Sequence, residues 1–254
     1  MRVAEIWRYP VKSLQGERLD SALVTPTGIE GDRRFAIYDL ETGLGLTARR
    51  VPELLFAHAR LHDDGEVVMT LPDGSTAADD DALSAWLGRP VALRSADENI
   101  SRRYENPSDF EHETAAPWNA FEGADAAFHD SANARVSLVS TTTIDVWDRR
   151  RFRPNILLDG EGEEHLVGSP VTLGDAILDV GVQIKRCVMT TRPQPGGIDR
   201  DLDVLRTIAR ERHAHLAVGA VVAQTGIVRV GDRLELLAGL DAATEEPHSR
   251  RPRR

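Results

Sequence analysis

Apolar positions in the first third of the chain recur in short, strand-like runs over 3–9, 19–25, 33–39, 56–61 and 66–71, separated by Gly, Asp and Pro. Regular short strands with such punctuation point to a barrel or sandwich rather than to βαβ units. One helix interrupts them. Asp79, Asp80 and Asp81 supply capping carboxylates, Leu83, Trp86 and Leu87 share a face at helical spacing, and Gly88-Arg89-Pro90 stops the run. From 97 to 130 the periodicity fades into acidic residues, Asn106-Pro107, Pro117 and scattered aromatics, which reads as an irregular connection between two halves.

The second half opens with a strand over 136–140. It passes through Thr141-Thr142-Thr143 into a helix that carries Ile144 and Trp147 on one side and ends at Pro154, a residue without a backbone donor. Four arginines, Arg149, Arg150, Arg151 and Arg153, fall within five positions near its end. A strand over 155–158 and a polar turn over 159–164 follow. Two matching units, 171–178 around Gly174-Asp175 and 227–234 around Gly231-Asp232, each read as a strand, a tight turn and a returning strand. A last helix over 199–212 places Leu202, Leu205 and Ile208 on its buried face. The tail from Gly239 lacks periodicity and reads as disordered. The fold class expected is mainly β (α+β), with two β-rich parts over 1–96 and 131–238, the connection 97–130 between them, and the tail 239–254.

Composition narrows the function classes. A net charge of −10 over 254 residues provides no broad cationic surface, which sets aside nucleic acid and anionic membranes as partners. No apolar stretch is long enough to span a bilayer, and the start runs straight into strand-like sequence with no signal-peptide pattern, so the chain reads as cytoplasmic. Cys187 is the single cysteine. It can form no internal disulfide and cannot hold an iron–sulfur cluster by itself, so any redox chemistry needs electrons from elsewhere.

A lone cysteine is often core filler. Here Lys185 and Arg186 precede the sulfur and Arg192 follows, a setting that favours the thiolate, the form that binds metals or attacks electrophiles. There is no nucleophile elbow, phosphate-binding glycine loop or paired-cysteine motif. His213 and His215 share a strand face without a third ligand, and His58 and His62 sit in strand-like sequence, so neither pair makes a zinc site. What remains is a distribution of donors around apolar strands: Lys12-Ser13, Arg33-Arg34, Arg49-Arg50, Arg153 before Pro154-Asn155, and Arg186 beside the thiol. Such donors suit a groove for a phosphate or a carbonyl-rich heterocycle.

An ordered set of motifs resembles a known family. Arg153-Pro154-Asn155-Ile156, Leu173-Gly174-Asp175, Arg186-Cys187-Val188-Met189-Thr190-Thr191, Leu205-Arg206-Thr207-Ile208 and Gly226-Ile227-Val228-Arg229-Val230-Gly231-Asp232 resemble the MOSC domain. Tyr9-Pro10-Val11-Lys12-Ser13-Leu14, Gly28, Asp32-Arg33-Arg34-Phe35 and Thr47-Ala48-Arg49 are similar to the β-barrel domain that precedes MOSC in the amidoxime-reducing branch.

The resemblance implies a molybdenum cofactor (molybdopterin) held between the two parts. Cys187 matches the thiolate that binds molybdenum, and Lys12, Ser13, Arg33, Arg153 and Asn155 match positions that hold the pterin and its phosphate, with Arg186 beside the thiol. Thr142, at a helix N-terminus, is expected to add a donor near the same phosphate. Asp130 falls where the family carries an acidic residue near the open side of the metal, there to handle protons or orient substrate. The implied activity is reduction of N-hydroxylated substrates such as amidoximes, hydroxylamines or N-hydroxylated bases, with an external flavoprotein or iron–sulfur protein as electron donor. The alternative is a non-catalytic cofactor carrier or sulfur-transfer module. Departures from the family pattern over 214–225, at His165-Leu166 and in the short 97–130 connection bear on the substrate pocket more than on the cofactor site.

Overall fold

The computed structural model describes residues 1–109 and 111–237, so the expected tail over 239–254 lies outside the described residues. The protein is mainly β with short helices. Its largest element is an eight-stranded sheet in the order Leu234–Leu236, Ser169–Leu173, Ala176–Lys185, His215–Gln224, Val136–Ser140, Ile156–Asp159, Arg2–Arg8 and Glu17–Leu19. The first strand of the chain therefore lies inside a sheet built mostly from the second half, with Ile6 opposite Ile156 and Val3 opposite Leu158. A second bond between the halves joins Ser21–Thr25 to Gly226–Arg229.

Alternation explains why this sheet is apolar on both faces. Val136, Leu138, Ile156 and Leu158 point into one core with Leu178, Val218 and Ala220, while Val139 and Leu157 point the other way, toward Phe152, Val204, Ile208 and Leu216. A third core, around Leu54, Leu55, Leu83 and Val91, serves the N-terminal part, where Phe35–Asp39 pairs with Val91–Ser95 and His58–Leu61 with Val67–Thr70.

Helix α1 (Asp80–Leu87) forms as the sequence suggests. The Asp79 carboxylate caps it by accepting from the Ala82 N–H at 2.9 Å, and Gly88 closes it at φ +65°. Elsewhere the structure revises the sequence reading. The helix expected after Ser140 is only α2 (Thr141–Ile144), because the chain turns at Asp145 and Asp148 then caps a separate 3-10 turn, Arg149–Arg151. In α3 (Leu202–Arg212) the buried positions are Val204 and Ile208, while Leu202 and Leu205 are half-buried.

The unit at 171–178 is a hairpin, with Leu173 opposite Ala176. Its expected twin is not. Gly226–Arg229 and Leu234–Leu236 belong to different sheets, and Gly231-Asp232 forms the corner between them, held where Val3 exchanges backbone hydrogen bonds with both residues at 2.8 and 2.9 Å. The connection 97–130 contains a hairpin, Arg103–Pro107 against Trp118–Glu122, which places Tyr104 and Phe121 side by side. No helix among the described residues is long and apolar enough to cross a membrane.

Candidate functional site

Loops at strand ends bring Tyr9, Lys12, Ser13, Arg33, Arg49, Asp130, Arg153, Arg186 and Cys187 into one charged cluster, buried on the Lys12, Arg49 and Arg153 side and open at Asp130. Its centre is Asp130, whose carboxylate takes the Lys12 ammonium on one oxygen at 2.5 Å and the Arg49 guanidinium on the other. The Lys12 ammonium also donates to the Phe128 carbonyl at 2.9 Å and rests over the Tyr104 ring, 4.2 Å from its centroid. That ring fills a slot between Gly45 and Gly123, where any Cβ would come within 2.5 Å of it.

A second layer stands on Tyr9. Arg33 and Arg153 approach the ring of Tyr9 at 5.1 and 4.2 Å, and its hydroxyl donates to the Pro154 carbonyl. Asp32, fully enclosed, accepts from the Tyr9 N–H and pairs with Arg33, while Arg153 donates to the Leu14 carbonyl. Arg186 reaches the Phe152 carbonyl at 2.7 Å. The Cys187 thiol, half-buried, lies beside the Arg49 guanidinium and near enough to Arg186 to act on its charge.

The backbone is strained at this cluster. Ser13, Arg33 and Arg153 adopt φ of +72°, +51° and +51°, a left-handed conformation that costs non-glycine residues about 1–3 kcal/mol each and persists where the surroundings over-determine it. At Ser13 the hydroxyl accepts from the Ala48 N–H at 3.0 Å, fastening the turn to the Arg49 segment.

Crowding cations together out of water sets their protonation. Burial pulls Lys12 down to about 8, against the opposing pull of Asp130, and brings Arg153 to about 10. Burial also lowers Arg186, with the thiol acting against that shift. Desolvation works against the ionised form of Asp130, but Arg49 and Lys12 outweigh it and hold the carboxyl well below the usual carboxylate range. Asp130 is thus a fixed acceptor in this arrangement, although 44% of its side chain is exposed. Arg49 stays charged because Asp130 and Cys187 together overcome its burial.

Two residues expected at the site stand differently. Asn155 is buried at the edge of the cluster, but its amide is already engaged: the oxygen accepts from the Ser137 N–H and hydroxyl at 3.2 and 3.0 Å, and the nitrogen donates to the Trp7 carbonyl. It ties the first strand to Val136–Ser140. Thr142 is exposed at the opposite end of Ile156–Asp159 from Arg153, where its N–H donates to the Gly160 carbonyl. Arg49 and Tyr9 stood in the sequence within motifs of the resemblance but without a role of their own, and Tyr104 carried no signal. A tyrosine beside a lysine or arginine becomes informative only once the fold stacks them.

A donor set can be tested for an anionic guest by what it leaves unsatisfied. Among the described residues the buried Nε groups of Arg49, Arg186 and Arg192 and the Thr47 hydroxyl have no hydrogen-bond partner. Two of these guanidinium groups, Arg49 and Arg186, are among the cations around the only thiol. This is the donor chemistry that a phosphate-bearing, carbonyl-rich heterocycle with a thiolate-bound metal requires, so the residues fit such a group. No group of three or more His, Cys, Asp and Glu suited to a metal ion occurs among the described residues.

Comparison with known proteins decides the family. The MOSC N-terminal beta barrel domain matches residues 1–98 and the MOSC domain matches residues 121–235. The chain belongs to the MOSC family. A molybdenum cofactor sulfurase from Drosophila grimshawi is 26% identical over 250 aligned residues, which cover 85% of this MOSC protein and 31% of the sulfurase. The chain thus spans about a third of that relative's length. Among solved structures, the YUAD protein from Bacillus subtilis aligns over 92% of this chain and 94% of its own at 10% identity and a TM-score of 0.43. YiiM from Geobacillus stearothermophilus aligns over 54% and 73% at 15% identity and a TM-score of 0.35. Family membership rests on the matched domains rather than on these loose superpositions.

Proposed function

We propose that this MOSC protein binds the molybdenum cofactor through Cys187 and reduces N-hydroxylated compounds. The observation that carries the reading is the sole thiol beside Arg49 and near Arg186, two arginines with buried, unused Nε donors, together with Lys12, Ser13, Arg33 and Arg153 on strained turns. Cys187 is the metal ligand. Lys12, Ser13, Arg33, Arg153 and Arg186 bind the pterin and its phosphate, with Asn155 buttressing the Arg153 turn from beneath. Bound there, the cofactor supplies two-electron removal of the N-hydroxyl oxygen, released as water with two protons, the electrons coming from an external flavoprotein or iron–sulfur protein.

The chain's own residues do the rest. Lys12 and Arg49 gather negative charge, Tyr9 and Tyr104 shape the walls and limit water, and Asp130 orients a substrate N–H as an ionised acceptor rather than donating a proton. Thr142, exposed beyond the far strand end, contributes least to this reading.

The second reading, a cofactor carrier or sulfur-transfer module, draws on the sulfurase relative. Protein produced in a cofactor-competent host separates them. The reductase reading expects molybdenum in the wild type, at least tenfold less in Cys187→Ser, and turnover of an amidoxime with an artificial electron donor. Metal without turnover of any N-oxygenated compound favours the carrier. Equal molybdenum in wild type and Cys187→Ser overturns both.

A further inference from the structure

Glu113 lies on the loop between the two strands of the 103–122 hairpin, in the connection between the family domains, and touches none of the cluster described above. Its carboxylate nevertheless forms a two-pronged ion pair with Arg192, Nη1 donating to Oε1 at 2.8 Å and Nη2 to Oε2. Both side chains are enclosed, at 11% and 10% exposure. A pair this deep is poor as a plain stabiliser, because desolvation offsets most of the attraction. Its geometry has another consequence. The same Arg192 Nη2 donates to the carbonyl of Arg49 at 2.6 Å.

Arg49 is the residue whose guanidinium holds Asp130 and faces Cys187. The segment carrying it is gripped again from the same hairpin, since Arg50 stacks on Trp118 at 4.4 Å and the Trp118 indole N–H donates to the Glu113 carbonyl at 3.1 Å. Arg192 in turn follows Cys187 by one short 3-10 turn, Val188–Thr191. One ion pair therefore links the hairpin loop, the thiol segment and the arginine between them.

We propose that Glu113 is a positioning residue of this site: by fixing Arg192 it locks the Arg49 carbonyl, and so aims the Arg49 guanidinium at Asp130 and Cys187. It rests on the reading of Cys187 as the reactive thiol of the site. Without the carboxylate, Arg192 loses its anchor, the Arg49 segment loosens, and the thiol opens to solvent. With the anchor in place, an arginine with an unused Nε is presented beside the sulfur at no further ordering cost when a ligand arrives.

The single cysteine makes the test direct. Metal-free protein is alkylated with neutral iodoacetamide across a pH series, modification at Cys187 is followed by mass spectrometry, and the plateau rates of the fully ionised thiol are compared so that access alone is read. Glu113→Gln is expected to react faster by roughly five- to thirtyfold, and Glu113→Asp to return most of the way to wild type. Glu111→Gln, on the same loop, leaves the rate unchanged. Leu178→Ala, in the other core, controls for general loss of stability and must not reproduce the acceleration below its melting transition.

The double exchange Glu113→Arg with Arg192→Glu separates positioning from mere pairing. It restores the ion pair but leaves position 192 unable to donate to the Arg49 carbonyl, so the thiol stays fast. A slow thiol in the double exchange, or equal rates for wild type and Glu113→Gln, overturns the positioning role. Those outcomes are independent of the cofactor reading, which fails instead if Cys187→Ser retains its molybdenum.

Discussion

Leu138, Ile156 and Leu178 in the large sheet and Lys12, Arg153 and Asn155 in the charged cluster are all buried, yet opposite forces keep them there. In the sheet, each apolar side chain contributes independently by leaving water, so position along a strand is enough to determine its place. In the cluster, every enclosed group costs solvation that only named partners return: Asp130 for Lys12 and Arg49, Asp32 for Arg33, a carbonyl for Arg153. The sheet is robust and replaceable. The cluster is specific and left partly unsatisfied, with strained turns and unused donors that a stability-driven interior would have removed.

The sharpest way to break this contrast is truncation in the sheet. Leu138→Ala is expected to cost about 2–5 kcal/mol in urea unfolding, with no rise in anion affinity. Removing the central charge of the cluster should cost less and change binding more. Asp130→Asn leaves two buried cations without their counter-anion, for about 1–2 kcal/mol given how far the carboxylate reaches into solvent. Much of that loss should vanish in millimolar inorganic phosphate, which the variant binds more tightly than wild type. A loss that phosphate leaves untouched would make Asp130 an ordinary structural partner.

A smaller effect comes from pH. Because burial lowers Lys12 to about 8, the unfolded chain holds more protons than the folded one between that value and the free-lysine value of about 10.4. The contribution of Lys12 to stability therefore rises with pH across that window, while phosphate affinity falls as the charge is lost. Asp130 acts at the other end: its share of stability is present above the usual carboxylate range and declines as acid protonates it. Lys12→Arg should flatten the alkaline changes in both melting temperature and phosphate affinity. The least effect is expected from Thr142→Ala, within about 0.5 kcal/mol of wild type and with unchanged molybdenum content. A drop in metal there would restore the helix terminus to the site.

The β character, the capped helix at Asp79 and the hairpin at Gly174-Asp175 were legible in the chain, because each rests on local periodicity or a local cap, and of the site the cations Lys12, Arg33, Arg49 and Arg153 were legible as candidates, but not what they pair with. The hairpin at 103–122 was missed because its strands carry charges and prolines instead of alternation. Gly231-Asp232 was misread as a hairpin turn because a tight Gly-Asp corner looks alike whether the chain returns or crosses to another sheet.

The sequence by itself determined which residues avoid water, where turns fall, and that one sulfur sits among cations, since these follow from neighbours a few positions apart. Only the tertiary structure decided that the first strand joins the second half's sheet, that Asp130 bridges Lys12 and Arg49, that Thr142 stands apart, and that Glu113 reaches Arg49 through Arg192. Charge pairs and strand partners form between groups tens to hundreds of residues apart, and their energies depend on distance and burial, which no linear pattern records.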